Sequence, residues 1–171
     1  FGDAAVGGYG AAVRFEHLFS LPVIGLNTAV ISIAGQNFGA RRYDRIKEVY
    51  SKSIVIGTMI MCIAGVIIYI LSEPIMRIFT SDLEVIKYGS TYLKITAFIG
   101  PILPVFFISH ALFTALKKTF LIFYSNLFRM VILPFIIVWI ILNVMEGYYN
   151  DIFYGLLIMN WIFGIIMLCV A

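Results

Sequence analysis

The sequence predicts an all-α integral membrane protein, and three observations carry that prediction. Hydrophobic residues make up 62% of the 171 residues and charged residues 12%, whereas ordinary globular chains have roughly 45–50% and about 25%. The mean hydropathy is +1.02. Five long apolar runs alternate with short charged connections, and only helices or closed barrels satisfy the backbone in lipid. Because the runs lack the alternating strands of about ten residues typical of a barrel, we expect a polytopic helix bundle.

The five runs define the predicted membrane spans. A helix needs about 20 apolar residues to cross a hydrocarbon core of roughly 30 Å. The predicted helices are 4–40, 53–72, 95–116, 119–145 and 152–171, which form a single membrane bundle over residues 1–171. The chain opens without a methionine and stops inside an apolar run. We therefore expect it to be a fragment of a longer polypeptide.

The charges of the connections predict the orientation. Segment 41–52 carries five basic and two acidic residues, Lys117 and Lys118 form a second basic turn, and Asp3 and segment 146–151 are acidic. By the positive-inside rule, segment 41–52 and turn 117–118 are cytoplasmic and residue 3 is external. We expect a multi-pass protein of the plasma membrane with the lipid bilayer as a partner. The net charge of +3 is too small and scattered to indicate nucleic acid.

Two shorter patterns predict local structure. Ser81 and Glu84 resemble a capping box that starts an amphipathic helix at Asp82, which we expect to lie at the membrane interface. Cys62 and Cys169 have no metal-binding or redox spacing. They are interpreted as small hydrophobic residues of the core.

The first span contains an unusual group of ionisable residues, Arg14, Glu16 and His17. Glu16 alone among the nine acidic residues lies inside a predicted span. A carboxylate facing a cavity can hold a proton, a sodium ion or a cationic substrate in turn, as an antiporter requires. The alternative is that Glu16 pairs with Arg14 or a neighbouring helix near the outer interface. The residues leave both interpretations open.

A polar stripe runs along the same span. At about 100° per residue, Tyr9, Glu16, Ser20 and Asn27 fall on one face of the helix. We expect this face to present polar groups to a cavity. Pro22 is predicted to kink the helix between Ser20 and Asn27.

Other residues of the spans have weaker signals. Arg129 lies deep in the fourth span and is predicted to bond loosened carbonyls or to line a cavity. His17 and His110 are interpreted as satisfied interior histidines, since no metal-ligating residue stands at a suitable spacing. The candidates for substrate binding or ion coupling are Glu16, Arg14, Tyr9, Ser20, Asn27 and Arg129.

The glycines Gly35 and Gly39 form a GxxxG pair at the end of the first span. Such a pair is typical of close helix packing. No phosphate-binding loop, GxSxG or HExxH motif occurs in the chain. We therefore expect no enzyme and no cofactor, with a sodium ion or a proton as the coupling ion.

The run 9–45, YGAAVRFEHLFSLPVIGLNTAVISIAGQNFGARRYDR, resembles the multidrug and toxic compound extrusion (MATE) family. The matching elements are R-[IF]-E-[QH] at 14–17 and GQNFGA-x-RYDR at 35–45. EPIMRIFTSDLEVIKYGSTYL and SNLFRMVILPF are similar to later segments of the same family. The resemblance implies that the five helices are helices eight to twelve of twelve, in a C-terminal lobe. Its main partner would be the missing N-terminal lobe of the same polypeptide.

The resemblance also implies a function. Family members export cationic, amphipathic compounds by alternating access in exchange for sodium ions or protons, and Glu16 would be a cavity acid. Some members carry an aspartate early in the tenth helix, where residues 102–105 hold no acid. The coupling ion could therefore bind in the missing lobe. Two alternatives stay open: a lipid-linked saccharide flippase, expected to have several basic cavity residues, and a membrane subunit without transport of its own.

Overall fold

The computed structural model describes residues 2–143 and 148–171, and all regular structure in these ranges is helical. The helices are α1 (Asp3–Gly39), α2 (Tyr43–Phe79), α3 (Leu83–Ala97), α4 (Leu103–Ala115), α5 (Thr119–Leu127), α6 (Leu133–Asn143) and α7 (Tyr149–Val170). A 3-10 turn, Gly100–Ile102, precedes α4, and a π-helical turn, Phe128–Ile132, joins α5 to α6. The predicted end of the fourth span at 145 lies outside the described residues.

The helices group into membrane spans that confirm the predicted fold class. Four stretches are long and apolar enough to cross a membrane: α1, α2, the stretch Thr119–Asn143, and α7. Helix α3 and Gly100–Ala115, which are bent by 42° relative to each other, pass the same test as a pair, and they count as a fifth, broken span if the pair crosses the membrane as one unit. The chain is thus an all-α, multi-pass membrane bundle.

Helix α2 extends well beyond the predicted span 53–72. It includes most of the segment 41–52, which the sequence suggested was a connection, and continues through Pro74. The Glu48 carboxylate accepts hydrogen bonds from Arg45 at 2.8 Å and Lys52 at 2.6 Å. Pairs spaced three or four residues apart stabilise a helix in water. Charge in this segment therefore marks a solvated part of a helix rather than a loop.

The helix predicted to start at Asp82 is present, but its cap differs from the predicted capping box. Helix α3 begins at Leu83, and its N-cap is Asp82, whose carboxylate accepts from the backbone N–H groups of Glu84 at 2.9 Å and Val85 at 3.4 Å. Leu93 is fully buried. Helix α3 packs against α1, α2 and α7, so it belongs to the packed interior, and together with Gly100–Ala115 it is long and apolar enough for one bent span.

Proline accounts for both breaks in the bundle. Pro101 lies in the 3-10 turn after α3, and Pro104 lies at the start of α4. Pro134 follows the π-helical turn, where its missing N–H cannot bond the carbonyl of Met130 four residues earlier. Irregular backbone in a membrane is tolerated where it is covered by protein or faces a cavity.

Close helix packing depends on glycines other than the predicted pair. A Cβ added at Gly8 would lie 2.7 Å from the Val85 carbonyl oxygen, and one at Gly65 would lie 2.7 Å from that of Ala97. At Gly35 and Gly39, an added Cβ would meet no described atom within 4 Å. Within the described residues, the GxxxG pair therefore does not mediate helix packing.

The packed interior runs the length of α1. Near its start, Ala12 packs with Met76 and Leu93, and near its end, Ala34 packs with Leu112. Helix α1 therefore runs parallel to the broken span α3–α4. Cys62 and Cys169 are exposed, so neither belongs to the core that the sequence suggested.

Candidate functional site

A cavity of about 300 Å³ lies between α1, α3, the two breaks and α7. Its lining divides into a polar part and a larger apolar part. The polar lining residues are Tyr9, Glu16, Tyr92, Thr96, Arg129 and Asn160, and the apolar ones are Ile99, Leu103, Met130, Pro134, Phe153, Leu156 and Met159. Two of the candidate residues on α1, Tyr9 and Glu16, thus line the same cavity as Arg129, the candidate on the fourth span.

The Glu16 carboxylate is held by a tyrosine from the broken span. The Tyr92 hydroxyl donates a hydrogen bond of 2.6 Å to Glu16 Oε2, and the Tyr92 side chain is buried. A hydrogen bond to an ionised acceptor is shorter and stronger than a neutral one. From the sequence, the helix that carries Tyr92 is expected to lie at the membrane interface. Buried residues occupy much of helix 83–97 in the structure. The sequence predicts this burial only if the segment is treated as part of a membrane span.

Arg129 lines the cavity from the π-helical turn and is held by uncharged groups. Its Nε donates to Asn160 Oδ1 at 3.1 Å, and its guanidinium carbon lies 3.8 Å from the centre of the Phe106 ring. Asn160 Nδ2 in turn donates to the Leu156 carbonyl at 2.8 Å, which fixes the amide. Of the two expectations for Arg129, it lines the cavity, and its hydrogen-bond partner is a side-chain amide rather than a loosened backbone carbonyl. The sequence did not single out Asn160 or Phe106.

Glu16 and Arg129 share the cavity without forming an ion pair. In residues 2–143 and 148–171, the ion pairs are confined to α2, between Arg45, Glu48 and Lys52 and between Glu73 and Arg77. Glu16 accepts a hydrogen bond from Tyr92, while Arg129 donates one to Asn160 and lies over the ring of Phe106. Both charges thus remain available to a ligand in the cavity.

Three aromatic rings form one wall beside Glu16. The ring centres of Tyr9 and Tyr92 lie 5.0 Å apart, those of Tyr92 and Phe153 also 5.0 Å, and those of Tyr9 and Phe153 5.9 Å. The faces of aromatic rings attract organic cations. An acid beside such a wall offers a cationic, amphipathic compound both a charge and apolar surface.

Two residues of the predicted stripe are not among the residues lining this cavity. Ser20 Oγ donates to the His17 carbonyl at 2.8 Å. Asn27 Nδ2 donates to the Phe107 carbonyl at 2.6 Å. Both polar groups are satisfied by backbone, and Asn27 ties α1 to α4. Helical periodicity placed them on one face, but the neighbouring helices decide where a cavity opens along it.

Arg14 lies outside the cavity as well. Its side chain is exposed, and among the described side chains it forms no ion pair with Glu16. Of the two partners in the structural alternative, Arg14 is therefore not seen, whereas a neighbouring helix supplies one through Tyr92. His17 is also exposed, which contradicts its interpretation as an interior histidine. His110 is half-buried and its Nε2 hydrogen bonds to Ser125 Oγ at 3.0 Å. Pro22, which is predicted to kink the first helix, lies inside α1, and α1 continues without interruption from Asp3 to Gly39.

Residues 1–140 match the MatE family model. The chain is 30% identical over 115 residues to the probable multidrug resistance protein YpnP of Bacillus subtilis, a stretch that covers 67% of this chain and 26% of the relative. It is 27% identical over 94 residues to the probable multidrug resistance protein NorM of Thermotoga maritima, covering 55% of this chain and 20% of the relative. The matched stretch thus spans about a quarter or less of the relatives' length.

The fold matches solved structures over nearly the whole chain. A transporter of the MOP superfamily from Pyrococcus furiosus superposes with a TM-score of 0.93 at 19% sequence identity, over 99% of this chain and 38% of that chain. At that identity the likeness concerns the fold alone. Since the family model covers most of the chain, the chain belongs to the MatE family of multidrug and toxic compound extrusion transporters.

Proposed function

We propose that this chain is part of an ion-coupled antiporter that exports cationic, amphipathic compounds across the plasma membrane, with Glu16 as the residue for which ion and substrate compete. One observation carries the proposal. The Glu16 carboxylate faces a cavity inside a membrane bundle, bonded to the Tyr92 hydroxyl and to no basic side chain of the described residues. Ionisable groups inside a membrane bundle are costly and mark transport pathways.

Competition for one carboxylate explains how exchange is coupled. A cationic compound rests against Tyr9 and Phe153 while its charge faces Glu16. A sodium ion or a proton arriving at the same carboxylate removes the attraction and releases the compound. If the ion and the compound were bound together, Glu16 could neutralise only one of their two positive charges. The other would remain close to the positive charge of Arg129. Alternating access then follows if each form of the site favours a different opening of the bundle.

The residues present fit either coupling ion. A proton needs only the Glu16 carboxylate, with the Tyr92 hydroxyl stabilising its charged form. A sodium ion would take oxygen ligands from Glu16 and Tyr92 and would need more from water or from the missing N-terminal lobe. That lobe, as the main partner, would also supply the opposite wall of the substrate path.

The test is gradient-driven efflux of a cationic dye from vesicles that contain the full-length protein. Glu16→Gln keeps the side-chain volume and removes the charge, so we expect efflux to fall roughly tenfold or more, as expected when a charge-assisted interaction is lost. Glu84→Gln is the matched control, since Glu84 is an exposed acid at the start of α3. Efflux that survives Glu16→Gln at equal protein level would refute the proposal.

A second candidate is the export of an anionic, lipid-linked compound, which Arg129 favours because it places a positive charge in the cavity. The Pyrococcus furiosus transporter is described as having a binding pocket of reverse polarity, which suggests a different function for that protein. A single basic lining residue is a weak anion site, and Arg14 lies elsewhere. Anion export that is lost in Arg129→Gln and kept in Glu16→Gln would favour this candidate. Full activity of both variants would favour a structural subunit.

A further inference from the structure

Two tight turns lie at the same end of the bundle. Residues 40–42 join α1 to α2, and residues 116–118 join α4 to α5. Phe38 and Ile46, which flank the first turn, pack in the same core cluster as Ala115 and Leu116 beside the second. We call the surface formed by residues 40–43 and 116–120 the basic end. By the topology prediction it faces the cytoplasm.

The two turns have the same backbone geometry. Arg41 has φ 59° and Lys117 has φ 58°, in the left-handed region. The backbone N–H of Arg42 bonds the Asn37 carbonyl at 2.9 Å, and that of Lys118 bonds the Phe113 carbonyl at 2.8 Å. This six-residue closure is the Schellman motif, whose left-handed position is usually glycine or asparagine. Both turns place a long cationic side chain there instead.

Within residues 2–143 and 148–171, the cations of the turns have no anionic partner. Glu48 binds Arg45 and Lys52. In the part of the chain that the structure describes, none of the exposed turn cations forms an ion pair. These cations are Arg41, Arg42, Lys117 and Lys118. The C-terminal ends of α1 and α4 attract positive charge, whereas Arg42 and Lys118 are the N-cap residues of α2 and α5, where the helix dipole favours negative charge.

Exposed aromatic residues follow each pair of cations. Tyr43 is 57% exposed and Phe120 is 78% exposed. Aromatic rings beside basic residues at the ends of membrane spans mark the level of the lipid headgroups. An acidic soluble partner would pair the cations but leave no reason for both rings to stand outward. The combination favours lipid.

We propose that the basic end binds the headgroups of anionic phospholipids. The guanidinium groups of Arg41 and Arg42 are suited to bidentate contact with phosphate oxygens, and Lys117 and Lys118 add point charges to the same surface. Tyr43 and Phe120 lie at the boundary between headgroups and acyl chains. This binding is separate from the transport site and does not depend on the proposed function.

The test measures binding of dioctanoyl phosphatidylglycerol to the full-length protein in an uncharged detergent, by native mass spectrometry. The double variant Arg41→Asn, Lys117→Asn removes two charges and keeps the turns, because asparagine tolerates left-handed backbone. At about a fivefold effect for each basic residue near an anionic surface, the affinity should fall roughly 25-fold. Dioctanoyl phosphatidylcholine should bind weakly to both proteins.

Two further variants separate charge from fold. The exchange Arg41→Lys, Lys117→Arg keeps both charges and should keep the affinity. Lys87→Gln, Lys94→Gln removes two exposed charges from α3 and should also keep it. Equal binding of the two lipids, or undiminished binding by the asparagine variant, would overturn the proposal. So would displacement of the lipid by equimolar inorganic phosphate, or by a polyglutamate peptide, which would assign the surface to a free anion or to an acidic protein.

Discussion

The Tyr92 hydroxyl contributes one group to the cavity, and removing it tests the site more finely than removing Glu16. The Tyr92 ring also packs against Tyr9 and Phe153, each with 5.0 Å between ring centres. Phenylalanine keeps the ring and its packing but loses the bond to Glu16. Removing this one oxygen atom therefore separates the two roles of Tyr92, which are packing in the aromatic wall and donating a hydrogen bond.

For Tyr92→Phe we expect the ion concentration at half-maximal efflux to change by roughly tenfold or more while the protein stays folded. A hydrogen bond to a charged group contributes about 1.5–3 kcal/mol, and this one stabilises the carboxylate in the state without an ion. Efflux rates measured against the concentration of sodium ions or protons give the value. Tyr69→Phe is the control, since Tyr69 packs against Phe98 away from the cavity. An unchanged ion dependence would leave Tyr92 with a packing role alone.

Helices α1 and α3 approach closely at Gly8, and that approach brings Glu16 within reach of Tyr92. A Cβ at Gly8 would lie 2.7 Å from the Val85 carbonyl oxygen and 2.8 Å from the Gly89 nitrogen. Both are backbone atoms, so they cannot move aside as the end of a side chain can. The spacing of the two helices therefore depends on the absence of one methyl group.

Gly8→Ala should lower the free energy of unfolding by about 1–3 kcal/mol, the usual cost of overpacking. It should also weaken efflux, because a wider spacing lengthens the Tyr92–Glu16 bond. Gly10→Ala, on the same helix, meets open space and should be neutral or stabilising by up to about 1 kcal/mol. Thermal unfolding in detergent compares the two variants. Equal midpoints would show that the helices adjust without cost.

At the scale of the whole molecule, the excess of basic residues lies at one end of the bundle. Segments 41–52 and 117–118 together carry seven basic and two acidic residues, whereas segment 73–94 at the opposite end carries three of each. By the positive-inside rule, this excess predicts the orientation of the bundle. The predicted external position of residue 3 follows from the same orientation.

Labelling with a membrane-impermeant maleimide tests this orientation in intact cells. In a background with Cys62→Ala and Cys169→Ala, the variant Ser81→Cys should react from outside, and Lys118→Cys should react only after the membrane is opened. Both positions are exposed, so access alone decides the result. The reverse pattern would invert the topology. Labelling of both after opening the membrane is the control for reactivity.

The sequence by itself determined the bundle and the family, because both depend on local information. The length of an apolar run decides whether a helix crosses the membrane, and the motifs at 14–17 and 35–45 lie within single segments. It also singled out Glu16 as the acid inside a span. These conclusions need no knowledge of which helices are neighbours.

Only the tertiary structure decided what surrounds Glu16. Tyr92 lies 76 residues from Glu16, and Asn160 lies 31 residues from Arg129. Periodicity shows which residues share a helix face, but it does not show which neighbour covers that face. For this reason Tyr9 and Glu16 line the cavity while Ser20 and Asn27 are satisfied elsewhere. Contacts between distant segments depend on how the helices pack, and that information is spread over the whole chain.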